Sequence, residues 1–109
     1  MGINNSQRAG FAEELLDTIP GGGSVDLGPL LFNPVIIIFD NFGTNSAEVS
    51  VDGGSTTWKT FPAGEALVLD LRAGHGIAGN FTFDVGTTFT ISGTAGDQFS
   101  ISYTYARDL

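Results

Sequence analysis

From residue 47 onward, apolar and polar positions alternate along the chain. Val49 and Val51 fall on one side, and Glu48, Ser50 and Asp52 on the other. That period of two marks a strand with one buried face. Asp52-Gly53-Gly54-Ser55 follows. Residues that tolerate positive φ are what a tight hairpin turn demands, so the strand after it, residues 58–61, is expected to fold back on the first. Pro62-Ala63-Gly64-Glu65 makes a second turn, with proline presetting φ. Leu67, Leu69 and Leu71 then alternate with Val68, Asp70 and Arg72, which reads as a third strand of the same meander.

The pattern extends in both directions. Upstream, residues 24–31 read as an extended segment broken at Gly28-Pro29. Val35-Ile36-Ile37-Ile38-Phe39 is continuously apolar and mostly β-branched, which predicts a strand buried on both faces. Residues 40–46 form a loop rich in turn formers. Downstream, a glycine-rich loop at residues 74–80 precedes Phe81, Phe83 and Val85, which alternate with Thr82 and Asp84. Residues 87–92 resume with Phe89 and Ile91 inward, and Phe99, Ile101, Tyr103 and Tyr105 define the last long strand. Seven or eight strands at a spacing of about ten residues, separated by Gly-rich turns, predict an all-β fold. The expected architecture is an antiparallel β-sandwich or small jelly-roll-like barrel.

The N-terminal segment reads differently. Ser6 or Asn5 can cap a helix over residues 7–18. Phe11, Ala12, Leu15, Leu16 and Ile19 fall on one arc of it, and Glu13, Glu14 and Asp17 on the other. Pro20-Gly21-Gly22-Gly23 ends it. A helix of about three turns is marginal alone in water and must pack on its own sheet or on a neighbouring subunit. The glycine run supplies a hinge for the second arrangement. The chain is therefore divided into a helix and extended arm at residues 1–31 and a β-sandwich at residues 32–109. Phe11, Leu15, Leu16 and Ile19 are the candidate partner-binding stripe.

Composition narrows the function classes. The 109 residues amount to one domain, and 41% hydrophobic content with nine Phe supplies a core. Four Lys and Arg against twelve Asp and Glu give a net charge of −8. A nucleic-acid footprint or a polybasic membrane patch is therefore not expected. With no cysteine, disulfides, thiolate catalysis and Cys-based metal sites drop out together. The start of the chain lacks a basic region followed by an apolar one, so synthesis and assembly in the cytoplasm are expected. The longest apolar run, residues 35–39, is far too short to span a bilayer.

Reactive groups are few. His75 is the lone histidine and sits between two glycines, without the partners a zinc site or a nucleophile needs. Asp40, Asn41, Asn45, Asp52 and Asp97 offer oxygens to calcium but lack the spacing of a calcium loop, and suit Asx turns better. Residues 74–79 match G-x-G-x-x-G outside any strand–helix context that would give the match meaning. Trp58, Tyr103 and Tyr105 are candidates for stacking on a sugar or a partner, or for cross-strand packing in the core. Trp58 joins the partner-binding candidates. Lys59, Arg72 and Arg107 are too few for a basic groove. No catalytic residue, metal site or cofactor site is expected.

The segment EVSVDGGSTTWKTFPAGEALVLDL, with FDN before it and SGTAGDQFSISYTYA after, resembles a pattern in small structural proteins of tailed phages. Asp52, Gly53, Gly54, Trp58, Pro62, Gly64, Glu65, Gly93 and Gly96 carry the likeness, which covers residues 39–106. It implies a non-enzymatic virion component, such as a capsid decoration or cement protein or a related head or tail accessory protein. Such a protein would bind the major capsid or another virion protein and would form a homo-oligomer, most simply a trimer. A carbohydrate-binding or adhesive β-sandwich is the alternative, and it requires Trp58 or the tyrosines to be exposed in a row. A small enzyme is the third reading.

Overall fold

The structure, a computed structural model, describes residues 11–71 and 83–105. Within them the chain is all-β: β1 (Phe11–Thr18), β2 (Ser24–Leu27), β3 (Pro34–Asn41), β4 (Ala47–Ser50), β5 (Lys59–Phe61), β6 (Ala66–Asp70), β7 (Phe89–Ser92) and β8 (Gln98–Tyr105). Two four-stranded antiparallel sheets result, in the orders β1-β8-β3-β6 and β2-β7-β4-β5. We term them the first and the second sheet.

The pairing has a simple logic. β4 pairs with β5, β3 with β6, β2 with β7 and β1 with β8, so the chain is one long hairpin folded back on itself. Successive rungs of that hairpin alternate between the sheets. The additional pairs β3–β8 and β4–β7 join the rungs within each sheet. A rolled hairpin of this kind is a jelly roll. Its tip is the turn read from Asp52-Gly53-Gly54-Ser55, where Gly53 and Gly54 hold φ of 78° and 95°. β6 is not a third strand of a meander. The turn at residues 62–65 closes with Glu65 N donating to Pro62 O at 3.0 Å and passes the chain to the other sheet.

The helix expected over residues 7–18 is corrected where the structure describes it. Residues 11–18 form β1, in unbroken register with β8 from Phe11↔Tyr105 to Thr18↔Gln98. Residues 7–10 lie outside the described residues. Eight register pairs against β8 outweigh an isolated short helix that has little stability of its own. The strand alternation was hidden because Glu13 and Asp17 share the inward register with Leu15. Glu13 is accommodated there by accepting a hydrogen bond from the Tyr103 hydroxyl. The Pro20–Gly23 run, read as a hinge, is a turn between the sheets: Gly23 N donates to Pro20 O at 2.9 Å, and Gly93 N to Gly23 O at 2.9 Å.

The core lies between the sheets. Ile37, Phe39, Val49, Phe61, Phe89 and Phe99 are fully buried. Phe39 is its centre, with the rings of Trp58, Phe61, Phe83 and Phe89 at 5.2, 5.8, 6.0 and 5.4 Å, centroid to centroid. These separations and tilted or edge-on orientations are the favoured ones for aromatic packing. Phe83 belongs to this core, but residues 84–87 form a turn instead of continuing a strand, and Phe81 and Thr82 lie outside the described residues.

Candidate functional site

In an antiparallel sheet, residues directly opposite one another share a face. The register therefore defines the outer surface of each sheet. On the second sheet the outward rows are Ser24–Ser92–Glu48–Thr60 and Asp26–Thr90–Ser50. Every member is polar. Thr90 donates to Asp26 at 2.8 Å, Ser50 to Asp52 at 2.6 Å and Thr57 to Glu48 at 3.0 Å. Apart from Ser50, which is 5% exposed and accepts from Asp52 N and Gly54 N of the turn above it, this is the solvated face expected of an antiparallel sheet with one side on the core.

The first sheet breaks that rule. Its outward rows are Ala12–Thr104–Ile36–Asp70, Glu14–Ser102–Ile38–Val68 and Leu16–Ser100–Asp40–Ala66. Ile36 and Ile38 are half-buried, and Val68 is 59% exposed. The apolar run of β3 predicted burial on both faces. The chain itself covers Ile37 and Phe39 fully and leaves Ile36 and Ile38 only partly covered. The outward residues of β8 are Ser100, Ser102 and Thr104, all short, so the flanking strands stand above them. A depression of about 90 Å³ opens there, lined by Ala12, Ile36, Ile38, Ser102, Tyr103 and Thr104. Glu14 borders it and accepts a hydrogen bond from Ser100 at 3.3 Å.

The residues singled out from sequence are dispersed. The backbone of Phe11 pairs with Tyr105, and its side chain lies outside the described residues. Leu15 packs inward on the core opposite Ile101. Leu16 is outward and 50% exposed, at the edge of the apolar face. Ile19 is 2% exposed and belongs to the core, its backbone locked to Asp97 O and Gly96 N at 2.8 Å each. Strand geometry thus splits the stripe that a helix would have kept together. Trp58 is half-buried against Phe39 and Phe83, with its backbone N donating to Val49 O at 2.7 Å. Tyr103 is buried, and Tyr105 stacks on Phe32 with ring centroids 3.9 Å apart.

The carboxylate and amide candidates do not converge. Asn41 is buried, and its side-chain amide donates to Asn45 O, Phe61 O and Pro62 O at 3.0, 3.0 and 3.2 Å. Asp97 accepts from Asn45 N and Nδ2 at 3.1 and 3.2 Å. Asp52 accepts from the Ser50 hydroxyl and from Thr56 N, and these bonds hold its carboxyl below the usual range. Asp40 stands on the outer face of the first sheet. Among the described residues no group of three or more His, Cys, Asp and Glu is placed to hold a metal ion. Lys59 pairs with Glu65 at 3.9 Å and lies 4.8 Å over the Phe61 ring. His75, residues 74–79, Arg72 and Arg107 lie outside the described residues.

Sequence reasoning missed Ile36, Ile38 and Val68 as surface residues. The signal was present: an apolar run too continuous for a strand with one wet face.

No family model matches the chain, and no curated protein matches it. Among solved structures the chain is similar to the crystal structure of PirA, at 14% identity over 87% of this chain and 94% of that one, with a TM-score of 0.43.

Proposed function

We propose that the chain is a non-enzymatic structural protein of a virion, a capsid decoration or cement protein that binds the viral shell and neighbouring copies of itself. The supporting observation is the contrast between the two outer faces. One is uniformly polar. The other carries Ile36, Ile38 and Val68 beside small residues and a depression, and contiguous exposed apolar surface of this kind marks contact surfaces. The resemblance of residues 39–106 to small tailed-phage structural proteins supplies the setting. The partner is then the major capsid protein or another virion protein. The protein is made in the host cytoplasm and ends in the particle. It works without cofactor or metal and without binding nucleic acid or membrane.

The glycan-binding alternative needs exposed aromatic side chains in a row, and Trp58 and Tyr103 face the core instead. No observation on the molecule favours it.

The test is co-sedimentation of purified protein with particles stripped of it, combined with its mass in solution by light scattering. Saturable binding to the shell and a trimeric mass are expected. A monomer that ignores particles would overturn the reading.

A further inference from the structure

We propose that copies of the chain bind one another by exchanging β1. Residues 11–19 of one copy lie along β8 of another, in the register that β1 holds within its own domain. The proposal deepens the shell-protein reading, and rests on it, by naming the surface through which neighbouring copies join.

β1 is hydrogen-bonded to the domain through one neighbour. It stands at the end of the first sheet, and eight register pairs join it to β8. Ile19 extends that ladder, its N donating to Asp97 O and its O accepting from Gly96 N. The side chains follow the same route. Glu13 accepts from the Tyr103 hydroxyl, Glu14 from the Ser100 hydroxyl at 3.3 Å and Thr18 from Gln98 Nε2 at 3.4 Å. All of these partners lie within residues 96–105. The β8 of a second copy offers every one of them, so the exchanged strand remakes the same bonds in trans.

Little of the core comes away with β1. Its inward positions are Glu13, Leu15 and Asp17, of which Asp17 is exposed and the other two are half-buried. Ile19, beyond the strand, is the one buried side chain of residues 12–19. Lifting the segment uncovers Leu15 and Ile19, while the aromatic packing around Phe39 stays closed. An element held this way opens locally, without unfolding of the rest.

The connection permits the crossing. Pro20-Gly21-Gly22-Gly23 is held in its turn by the bond from Gly23 N to Pro20 O, and Gly93 N pins Gly23 O at the far end. Gly21 and Gly22 have open space where a Cβ would stand, so no side-chain packing resists straightening there. Straightened, the four steps from Ile19 to Gly23 span about 13–14 Å. Two exchanging domains therefore meet at the end formed by residues 18–23 and 92–96. Neither segment carries a charge, so the hinge itself brings no carboxylates together in a chain of net charge −8.

The chain contains no cysteine, so introduced thiols report alone. Ala12 and Thr104 lie opposite one another on the outer face of the first sheet, at a separation that a disulfide spans. Ala12→Cys and Thr104→Cys are purified separately, mixed, incubated with oxidised glutathione and resolved by non-reducing electrophoresis and mass spectrometry. A covalent heterodimer is expected. Ala12→Cys mixed with Thr60→Cys, which stands on the outer row of the second sheet, is the control and is expected to give none. A chain carrying both Ala12→Cys and Thr104→Cys, linked within itself at high dilution, is expected to lose self-association in light scattering and to regain it on reduction. Should Thr104→Cys misfold, Glu14→Cys with Ser102→Cys, the next outward pair, reads the same exchange. A heterodimer no more abundant than in the control, or a locked chain that still self-associates, would overturn the proposal. Particle binding without any such heterodimer would overturn the exchange and spare the shell-protein reading. Exchange by a protein that ignores particles would overturn that reading and keep the exchange.

Discussion

Asn41 gives the sharpest test of how the two sheets are held in place. It ends β3, is 1% exposed, and sits where the loop at residues 42–46 meets the turn at residues 62–65. Its side-chain amide donates to three backbone carbonyls, and its Oδ1 accepts from Gly43 N at 2.9 Å. Its backbone N donates to Glu65 O at 2.9 Å, and the two side-chain N–H groups are shared among the three carbonyls. Asn41→Leu keeps the volume and removes all of them. The bond to Phe61 O is the buried one, and stranding a buried carbonyl costs about 1–3 kcal/mol. The remaining three are partly open to water, and each contributes about 0.5–1 kcal/mol. The loss is on the order of 2.5–6 kcal/mol, a large share of a typical stability of about 5–15 kcal/mol. For a domain of this size, at about 4 °C per kcal/mol, that lowers Tm by roughly 10–24 °C. Urea unfolding gives the free energy and scanning calorimetry the midpoint. Asn45→Ala, at an exposed position, is the control and is expected to cost less than ~1 kcal/mol. Asn41→Asp adds a pH signature. It keeps the acceptor for Gly43 N but turns a carboxylate toward the three carbonyls, so folding raises its pKa above the ordinary aspartate value of about 3.9. Its penalty is therefore smallest below that value and grows as pH rises. If Asn41→Leu stays within ~1 kcal/mol of the parent, the clamp carries no weight and the reasoning fails.

Three further outcomes follow from the packing and the titrating groups. Phe39→Ala opens the centre of the aromatic core and is expected to cost about 3–5 kcal/mol, read by urea unfolding. Tyr103→Phe removes the hydroxyl that accepts from Leu31 N at 3.2 Å and donates to Glu13, at a cost of about 1–2 kcal/mol. Burial, and then Glu13, raise the Tyr103 pKa above its ordinary 10.0, so its contribution is complete below that pH and is lost as pH climbs through the raised value. The variant is expected to lose that alkaline step in a stability–pH profile. Asp52 has the opposite sign: Ser50's hydroxyl and then Thr56's amide hold its carboxyl below 3.8. The stability it adds is present above 3.8 and is lost as pH falls through the lowered value, and Asp52→Asn is expected to flatten that acid limb.

Much of this protein was readable from its residues in order. Alternation at Val49, at Leu67 and Leu69, and from Phe99 to Tyr103 placed strands because side chains on a pleated backbone alternate between its faces. Asp52-Gly53-Gly54-Ser55 located the hairpin tip because positive φ is accessible there. These are local properties, set by neighbours in sequence. What the chain order could not give is which strand lies beside which. β1 meets β8 across the whole domain, and that contact turned the residues of a plausible amphipathic helix into an edge strand, sending Leu15 inward and Leu16 outward. The role of Ile36, Ile38 and Val68 was likewise settled by tertiary structure. The run on β3 announced two dry faces, but only the assembled sheets show that the fold covers one fully and the other only in part, beside Glu14 and Asp40. Periodicity reports how a segment prefers to lie, whereas burial depends on what the rest of the chain brings against it.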